Sequence, residues 1–438
     1  MKKVRPKILF SAQHFGFGSQ ATIAYVLKNL KKRGFKSDNY LVGWGNIIHF
    51  FKNYKGLFEP GKIIETNIKG IANIGEEFDL IISCGNPYIS IYGYDHNIPV
   101  INIDTNFWFW LLTKDKREYG KYDKIMKYIL NGKDYLQKIS RLKKSGLTPH
   151  ESQLLSNRCS LHSFLEKFPY INKKFPGTRR RIDLLCNILG GRKKFSEISP
   201  ILDLPAIRPI KIKKNYILIN LNGMKNPVNN ERDLRIYTKL IIGFVNRVAE
   251  DLYKDKKFIL TVHPEIARMI SKNSKFFNLH RKIKLKSLTH KEMLKIIEKT
   301  YLLITAPGKK SIYEAIYYGV PIVFIPEQNS TQYPQVLGYR RMGGEFTGTL
   351  IYEKEDELMQ RKFKSGIEEM QWMYKRYREW EKNGKYSEDL VNMLRNKYSN
   401  SSSLNDLAAN QKAVLNYQKG FRGVTKISNF VIKYFKIL

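Results

Sequence analysis

Thr305–Gln335 reads TAPGKKSIYEAIYYGVPIVFIPEQNSTQYPQ and follows the apolar run Tyr301–Ile304. A short apolar run, then Pro-Gly, then helical spacing closed by Gly319, then the apolar run after Pro321, spells strand, turn, helix and strand. Gly308 sits just after the first strand and lets a backbone or ligand come close. Ser311 is placed to cap the helix, whose free N–H groups then face the loop and make an anion site suited to a diphosphate. Glu314 lies one turn further on, on the face of Ser311, where a carboxylate can accept two vicinal ribose hydroxyls. Glu327, Gln328 and Gln332 follow the second strand at its carboxyl end, the edge on which open α/β sheets bind ligands.

Similar units continue on both sides. YILINLNG (Tyr216–Gly223), a helical pattern from Leu234 to Leu252, KFILTVHP (Lys257–Pro264), KIKLKSL (Lys282–Leu288) and a helix Lys291–Lys299 capped by Thr289 form one alternating series. Gly223 and His263 fall at strand ends within it. An earlier series runs through KILFSA (Lys7–Ala12), NYLVGWG (Asn39–Gly45), FDLIISCG (Phe78–Gly85) and PVINID (Pro99–Asp104). Short apolar runs without strict alternation are the pattern of buried parallel strands. Two such series predict two doubly wound α/β halves. The expected divisions are 1–205, with a helical, polar, strand-free insertion over about 114–204, then 206–395, then a helical tail over 396–438.

Hydrophobic residues make up 42% of the 438, so the chain folds around cores of its own. Cys84, Cys159 and Cys186 lack disulfide or zinc spacing and suit a reducing cytoplasm. The basic start MKKVRPKILFSA lacks a signal-peptide apolar region, and no apolar run reaches the roughly 18 residues that would suggest a transmembrane helix. The 77 basic residues against 39 acidic ones give a formal charge of +38. That charge is either a dispersed lysine bias or an attraction to polyanions such as an anionic membrane face. No nucleic-acid-binding module is recognisable. The terminal NFVIKYFKIL (Asn429–Leu438) suits an interfacial helix or one that returns to the first half.

The order of residues from Thr305 resembles the donor-binding region of GT-B glycosyltransferases, above all the UDP-sugar enzymes of the lipid II GlcNAc transferase and macrolide and plant glycosyltransferase branch. The resemblance implies two Rossmann-like domains facing a cleft, with acceptor binding in the first and donor binding in the second. It implies that Glu314 binds ribose, Gly308 and Ser311 the phosphates, and Gln328 or Gln332 the sugar. Lys309 and Lys310 replace small residues of the family's turn and either meet the diphosphate or are solvated. His263-Pro264 is similar to the sialyl-, Kdo- and glycerophosphate-transferring members, where the histidine contacts the nucleotide phosphate.

The loop Gln13–Ala21 carries Gly16, Gly18 and Ser19, and its GFGSQA matches a dinucleotide fingerprint by letters. Yet no acid ends the second strand, since Asp38 precedes it. Under the glycosyltransferase resemblance this loop approaches the reaction centre from the acceptor side. His14 then stands where inverting members hold a general base, with Asp104 as its orienting carboxylate; alternatively His14 lines the loop and Asp104 caps a turn. The expected function is transfer of a sugar, with inversion, from a UDP-linked donor to a hydroxyl of a glycan, a lipid-linked molecule or a small molecule. No cofactor or metal is expected. The alternatives are a sugar-nucleotide epimerase or a glycerophosphate- or sialyl-type transferase on the same fold, and a polyanion-binding protein.

Overall fold

The computed structural model describes residues 5–14, 18–52, 56–59, 61–107, 116–148, 151–166, 178–202, 214–221, 230–329, 332–348, 366–417 and 420–437. The chain divides into two units, Met1–Asp203 with Gln418–Leu438, and Leu204–Tyr417.

The first unit is built on a parallel sheet of β1 (Lys7–Ala12), β2 (Asp38–Gly43), β3 (Ile63–Glu65), β4 (Leu80–Cys84), β5 (Val100–Asp104), β6 (His162–Glu166) and β7 (Phe195–Ile198). Its order is β3-β2-β1-β4-β5-β6-β7. Every residue of β4 and β5 is buried, which is why these strands read as unbroken apolar runs rather than alternating ones. The chain moves outward from β1 through β2 and β3, then crosses back to β4, so the order reverses between β1 and β4. Such a reversal leaves a crevice at the carboxyl edge, where doubly wound folds take their ligands.

Two of these strands lie where only helices were expected. Helices Tyr119–Leu130, Tyr135–Lys144, Gln153–Cys159 and Thr178–Ile188 do occupy much of 114–204, but β6 and β7 run between them and extend the sheet. Their sequences, HSFLE and FSEI, are too short and polar to show an apolar run. Pairing supplies what local pattern does not, through Ile101↔His162 and Asp104↔Leu165, then Ser163↔Phe195 and Glu166↔Ile198.

The second unit repeats the plan with β8 (Tyr216–Asn220), β9 (Lys257–Thr261), β10 (Ile283–Lys286), β11 (Thr300–Thr305), β12 (Ile322–Phe324) and β13 (Thr347–Gly348). These pair in the order β10-β9-β8-β11-β12-β13, all parallel, and the reversal falls between β8 and β11. The helix Glu231–Asp251 packs against Gly366–Asn383 and Lys385–Tyr398.

The segment 396–438, expected as one helical tail, is shared between the units. Ser399–Ser403, a polar break in the sequence, is a helix start: the Asn400 side chain accepts from Ser403 N at 2.9 Å and opens Ser401–Gln411. In that helix Gln411 makes two bonds to the backbone of Ile322, satisfying groups at the start of β12. The last helix, Gly423–Ile437, belongs to the first unit and packs against the helix Gly18–Lys32. It buries Val424, Ile427 and Val431 and stacks Phe430 on His162, leaving Lys433 and Lys436 exposed. Among the described residues no helix is long and apolar enough to cross a membrane.

Candidate functional site

The reversal in the second unit gathers most of the residues singled out in the sequence. Asn220 ends β8 level with Thr261 on β9 and Thr305 on β11. Its amide donates to Ser311 Oγ at 3.1 Å, linking the end of β8 to the first turn of the helix Lys309–Tyr317 after β11. Ser311 is therefore not the helix cap that its position suggested. The cap position of Lys309–Tyr317 is taken by Gly308, with an ordinary φ of −99° and no side chain closing the helix end. The first turn of a helix has N–H groups with no partner inside the helix, and its dipole adds partial positive charge there. Lys309 is buried at this end and Lys310 half-buried. A methyl group built on Gly308 would come no nearer than 3.8 Å to its neighbours, an ordinary contact. The fold itself does not require glycine at this position.

Glu314, one turn further along, is 2% exposed. Its Oε1 lies 2.9 Å from His290 Nε2. In the tautomer with its proton on Nε2, the imidazole donates to that carboxylate oxygen. His290 opens the helix His290–Ile297, which starts at a capping box: Thr289 Oγ1 accepts from Glu292 N, and the Glu292 carboxylate accepts from Thr289 N.

His263, after β9, is buried and caps the helix Pro264–Lys272, its Nδ1 accepting from Glu265 N at 3.3 Å. Beyond β12, Gln328 and Gln332 are both buried, and Gln332 Oε1 accepts from Gln328 N at 2.5 Å. The same loop is held by Tyr237, donating to Pro326 O at 2.6 Å, and Tyr377, donating to Glu327 O at 2.5 Å. The bond to Gln328 N gives Gln332 a part in shaping the loop. Gly223 lies outside the described residues.

At the carboxyl edge of the first sheet, His14 follows β1 and stacks on Trp44 with ring centroids 5.3 Å apart. Burial lowers its pKa from the usual 6.5, favouring the neutral imidazole. Gly18 starts the helix Gly18–Lys32, and Ser19 is buried in its first turn; Gly16 lies outside the described residues. Asp104 ends β5 and is 2% exposed. Its carboxylate accepts from Asn106 N at 2.8 Å and from the Asn157 amide at 2.6 Å. Asn157 in turn accepts from Asn102, whose own oxygen accepts from Gly85 N. This chain of amides fixes the carboxylate from behind. His14 and Asp104 share an edge and are separated by the end of β4, which puts their backbones about 10 Å apart at two strand spacings. The carboxyl end of β2 is Val42-Gly43, with Asp38 at the other end, so the acid required by a dinucleotide fingerprint is missing from its place.

The structure thus brings Gly308, Lys309, Ser311, Glu314, His263, Gln328 and Gln332 to one edge of the second sheet, and His14, Gly18, Ser19 and Asp104 to one edge of the first. His290 and Asn157 were not foreseen. Thr289, as a helix cap, places residue 290 at that edge, and that is its one mark in the sequence. Nothing comparable marked Asn157. Among the described residues no group of three or more His, Cys, Asp or Glu could hold a metal ion.

No protein-family model and no curated protein matches the sequence. Solved structures do match in fold. The chain is similar to the glycotransferase of kitacinnamycin at TM-score 0.52 and 10% identity, covering 98% of this chain and 99% of that one. It is similar to S. aureus MnaA, solved with UDP, at TM-score 0.54 and 12% identity, covering 99% and 98%. A putative UDP-N-acetylglucosamine 2-epimerase from Listeria monocytogenes matches at TM-score 0.50 and 12% identity, again over 99% and 98%. At such identities the likeness establishes the architecture alone: an α/β fold of two doubly wound units, GT-B.

Proposed function

We propose that the chain is a glycosyltransferase that moves a sugar from a UDP-linked donor to an acceptor hydroxyl, with inversion and without a metal. The observation that carries the donor half is the β8/β11 reversal, where a helix with no side-chain cap opens beside Lys309 and has Glu314 one turn in. The diphosphate would meet the helix N–H groups and Lys309, and the ribose would meet Glu314. Gln328 and Gln332 are assigned to the sugar, and His263 to the nucleotide phosphate. The kitacinnamycin glycotransferase and the UDP-bound MnaA share this fold, which agrees with a nucleotide-sugar donor.

His14 favours transfer over epimerisation. Burial keeps its imidazole neutral, so it can take the acceptor's hydroxyl proton as that oxygen forms its bond to C1. The bond from C1 to the diphosphate oxygen breaks as its electrons leave with UDP, and Asp104 holds the imidazolium. The acceptor is a glycan, a lipid-linked molecule or a small molecule. The place of action is the cytoplasm, at an anionic membrane face to which a charge of +38 is drawn.

A thermal-shift panel of UDP-, GDP-, CMP- and TDP-linked sugars comes first, with stabilisation by the UDP compounds expected. Product analysis with the labelled donor that binds follows. A glycosylated acceptor supports transfer, whereas an epimerised sugar nucleotide formed without acceptor would sink it. Stabilisation by nucleic acid alone, steeply dependent on salt, would replace the enzyme reading with polyanion binding. His14→Ala should lower turnover at least about a hundredfold, the ordinary scale of general-base help, while nucleotide binding stays unchanged. Unchanged turnover would remove His14 as the base.

A further inference from the structure

Glu314 is asked to bind a ribose, but it is also held by a side chain that this role does not explain. The His290 imidazole lies 2.9 Å from Glu314 Oε1, its side chain 15% exposed and that of Glu314 3%. Two helices meet at this contact. One follows β10 and the other follows β11; they pack against each other, and the first also packs against β8 and β11. The backbone at His290 is fixed independently of Glu314. Thr289 and Glu292 close a reciprocal capping box, with Glu292 Oε2 accepting from Thr289 N at 2.8 Å and from Thr289 Oγ1 at 2.7 Å. The helix start is fixed, and so is its first residue.

We propose that His290 is a positioning residue, which turns the Glu314 carboxylate toward the two ribose hydroxyls and thereby sets a preference for ribonucleotides over 2′-deoxyribonucleotides. The inference rests on the donor-site reading above. A carboxylate at the end of a Glu side chain rotates about three torsions, and accepting two vicinal hydroxyls demands one orientation. Donation from Nε2 to Oε1 uses part of the acceptor capacity of the carboxylate, which extends to about four lone-pair sites on its two oxygens. A hydrogen bond to a carboxylate is among the stronger ones a side chain makes, and it holds one rotamer against its neighbours. With the carboxylate pre-set, the ribose does not have to order it on binding, which is how preorganisation raises affinity. A nucleotide without its 2′-hydroxyl leaves part of that fixed acceptor unmatched, so discrimination depends on the carboxylate staying where it is.

The test compares UDP with 2′-deoxy-UDP by calorimetry on the full chain, in the parent, His290→Ala, His290→Gln and Glu314→Ala, with GDP and its 2′-deoxy form where the guanine nucleotide binds instead. The parent should prefer the ribonucleotide by about tenfold, the scale of one hydrogen bond to a charged group. His290→Ala should weaken UDP and bring the ratio close to one, while its melting temperature shows that the fold persists. His290→Gln, whose amide can donate from a similar place, should recover much of the ratio. Glu314→Ala should abolish the ratio altogether. If the parent binds nucleotide and discriminates, but His290→Ala discriminates equally well, His290 is only a pin between helices and the proposal fails alone. If the parent binds no nucleoside diphosphate, the donor-site reading fails and takes this inference with it.

Discussion

Two histidines show how much a single side chain's surroundings decide. His14 was legible as a candidate because a histidine directly after the first strand of an α/β half stands at the ligand-facing edge. His162 was not, since HSFLE gives no sign that it is a strand or that the last helix covers it. Phe430 stacks on the His162 ring at 4.4 Å, and Nε2 has no hydrogen-bond partner. Burial, with Lys426 and Lys194 nearby, lowers its pKa from 6.5 to about 4. The folded state therefore binds fewer protons than the unfolded one between these values. The stability tied to a neutral His162 is fully present above pH 6.5 and is lost as pH falls toward 4. Phenylalanine keeps the stack and removes the titration, so His162→Phe should lose less stability between pH 7 and 4.5 than the parent, measured by urea midpoints. Parallel loss in both proteins would show that His162 does not titrate in that range. Catalysis follows the same sign at His14: a neutral base persists at pH 7, and turnover should fall only as pH drops through a value below 6.5.

Elements were legible where their own residues carried the pattern. The strand–turn–helix–strand from Thr305 to Phe324 could be read because Gly308, Gly319 and Pro321 punctuate it, and Gly319 does adopt a left-handed φ of 61° after the helix. The strands β6, β7 and β13 escaped because their order comes from neighbours, and no sequence window contains the neighbour. The same limit applied to Ser311, whose partner Asn220 lies 91 residues away. The helix end at Gly308 gives a clean separation of fold from function. Its φ suits any residue, and an added methyl would make only an ordinary contact at 3.8 Å. Gly308→Ala should therefore leave the melting temperature unchanged to within a degree or two, about what a surface substitution of under 0.5 kcal/mol causes. If a diphosphate lies against that backbone, the same methyl should weaken UDP by about tenfold or more, since close packing penalises overlap by 1–3 kcal/mol. An affinity equal to the parent's would mean that no phosphate approaches there.

On the scale of the whole molecule, the chain's return to its first unit could not be decided from sequence, because a basic amphipathic helix fits a bilayer surface and a protein surface equally well. The helix Gly423–Ile437 buries its apolar face in the first unit, and the details are those of a fitted contact. Gly423 lies so close to Ser199 O that a methyl group there would come to 2.1 Å. Lys426 donates to Glu197 O at 2.9 Å, and Phe435 meets Phe35 with centroids 5.8 Å apart. Burying Val424, Ile427 and Val431 contributes roughly 1.5–3 kcal/mol each at most, a large share of the stability of one domain. Ending the chain after Tyr417 should then loosen the first unit and spare the second. Hydrogen exchange should show lost protection in Gly18–Lys32 and His162–Glu166, which the helix covers, and unchanged protection in Glu231–Asp251. Gly423→Val in the full-length chain should reproduce the pattern more weakly, by forcing the helix off Ser199 without removing it. Equal loss in both units would mean that they unfold as one cooperative body. Unchanged protection everywhere would mean that the helix adds nothing to the first core, and would return the tail to its other reading, as a segment for an anionic membrane face.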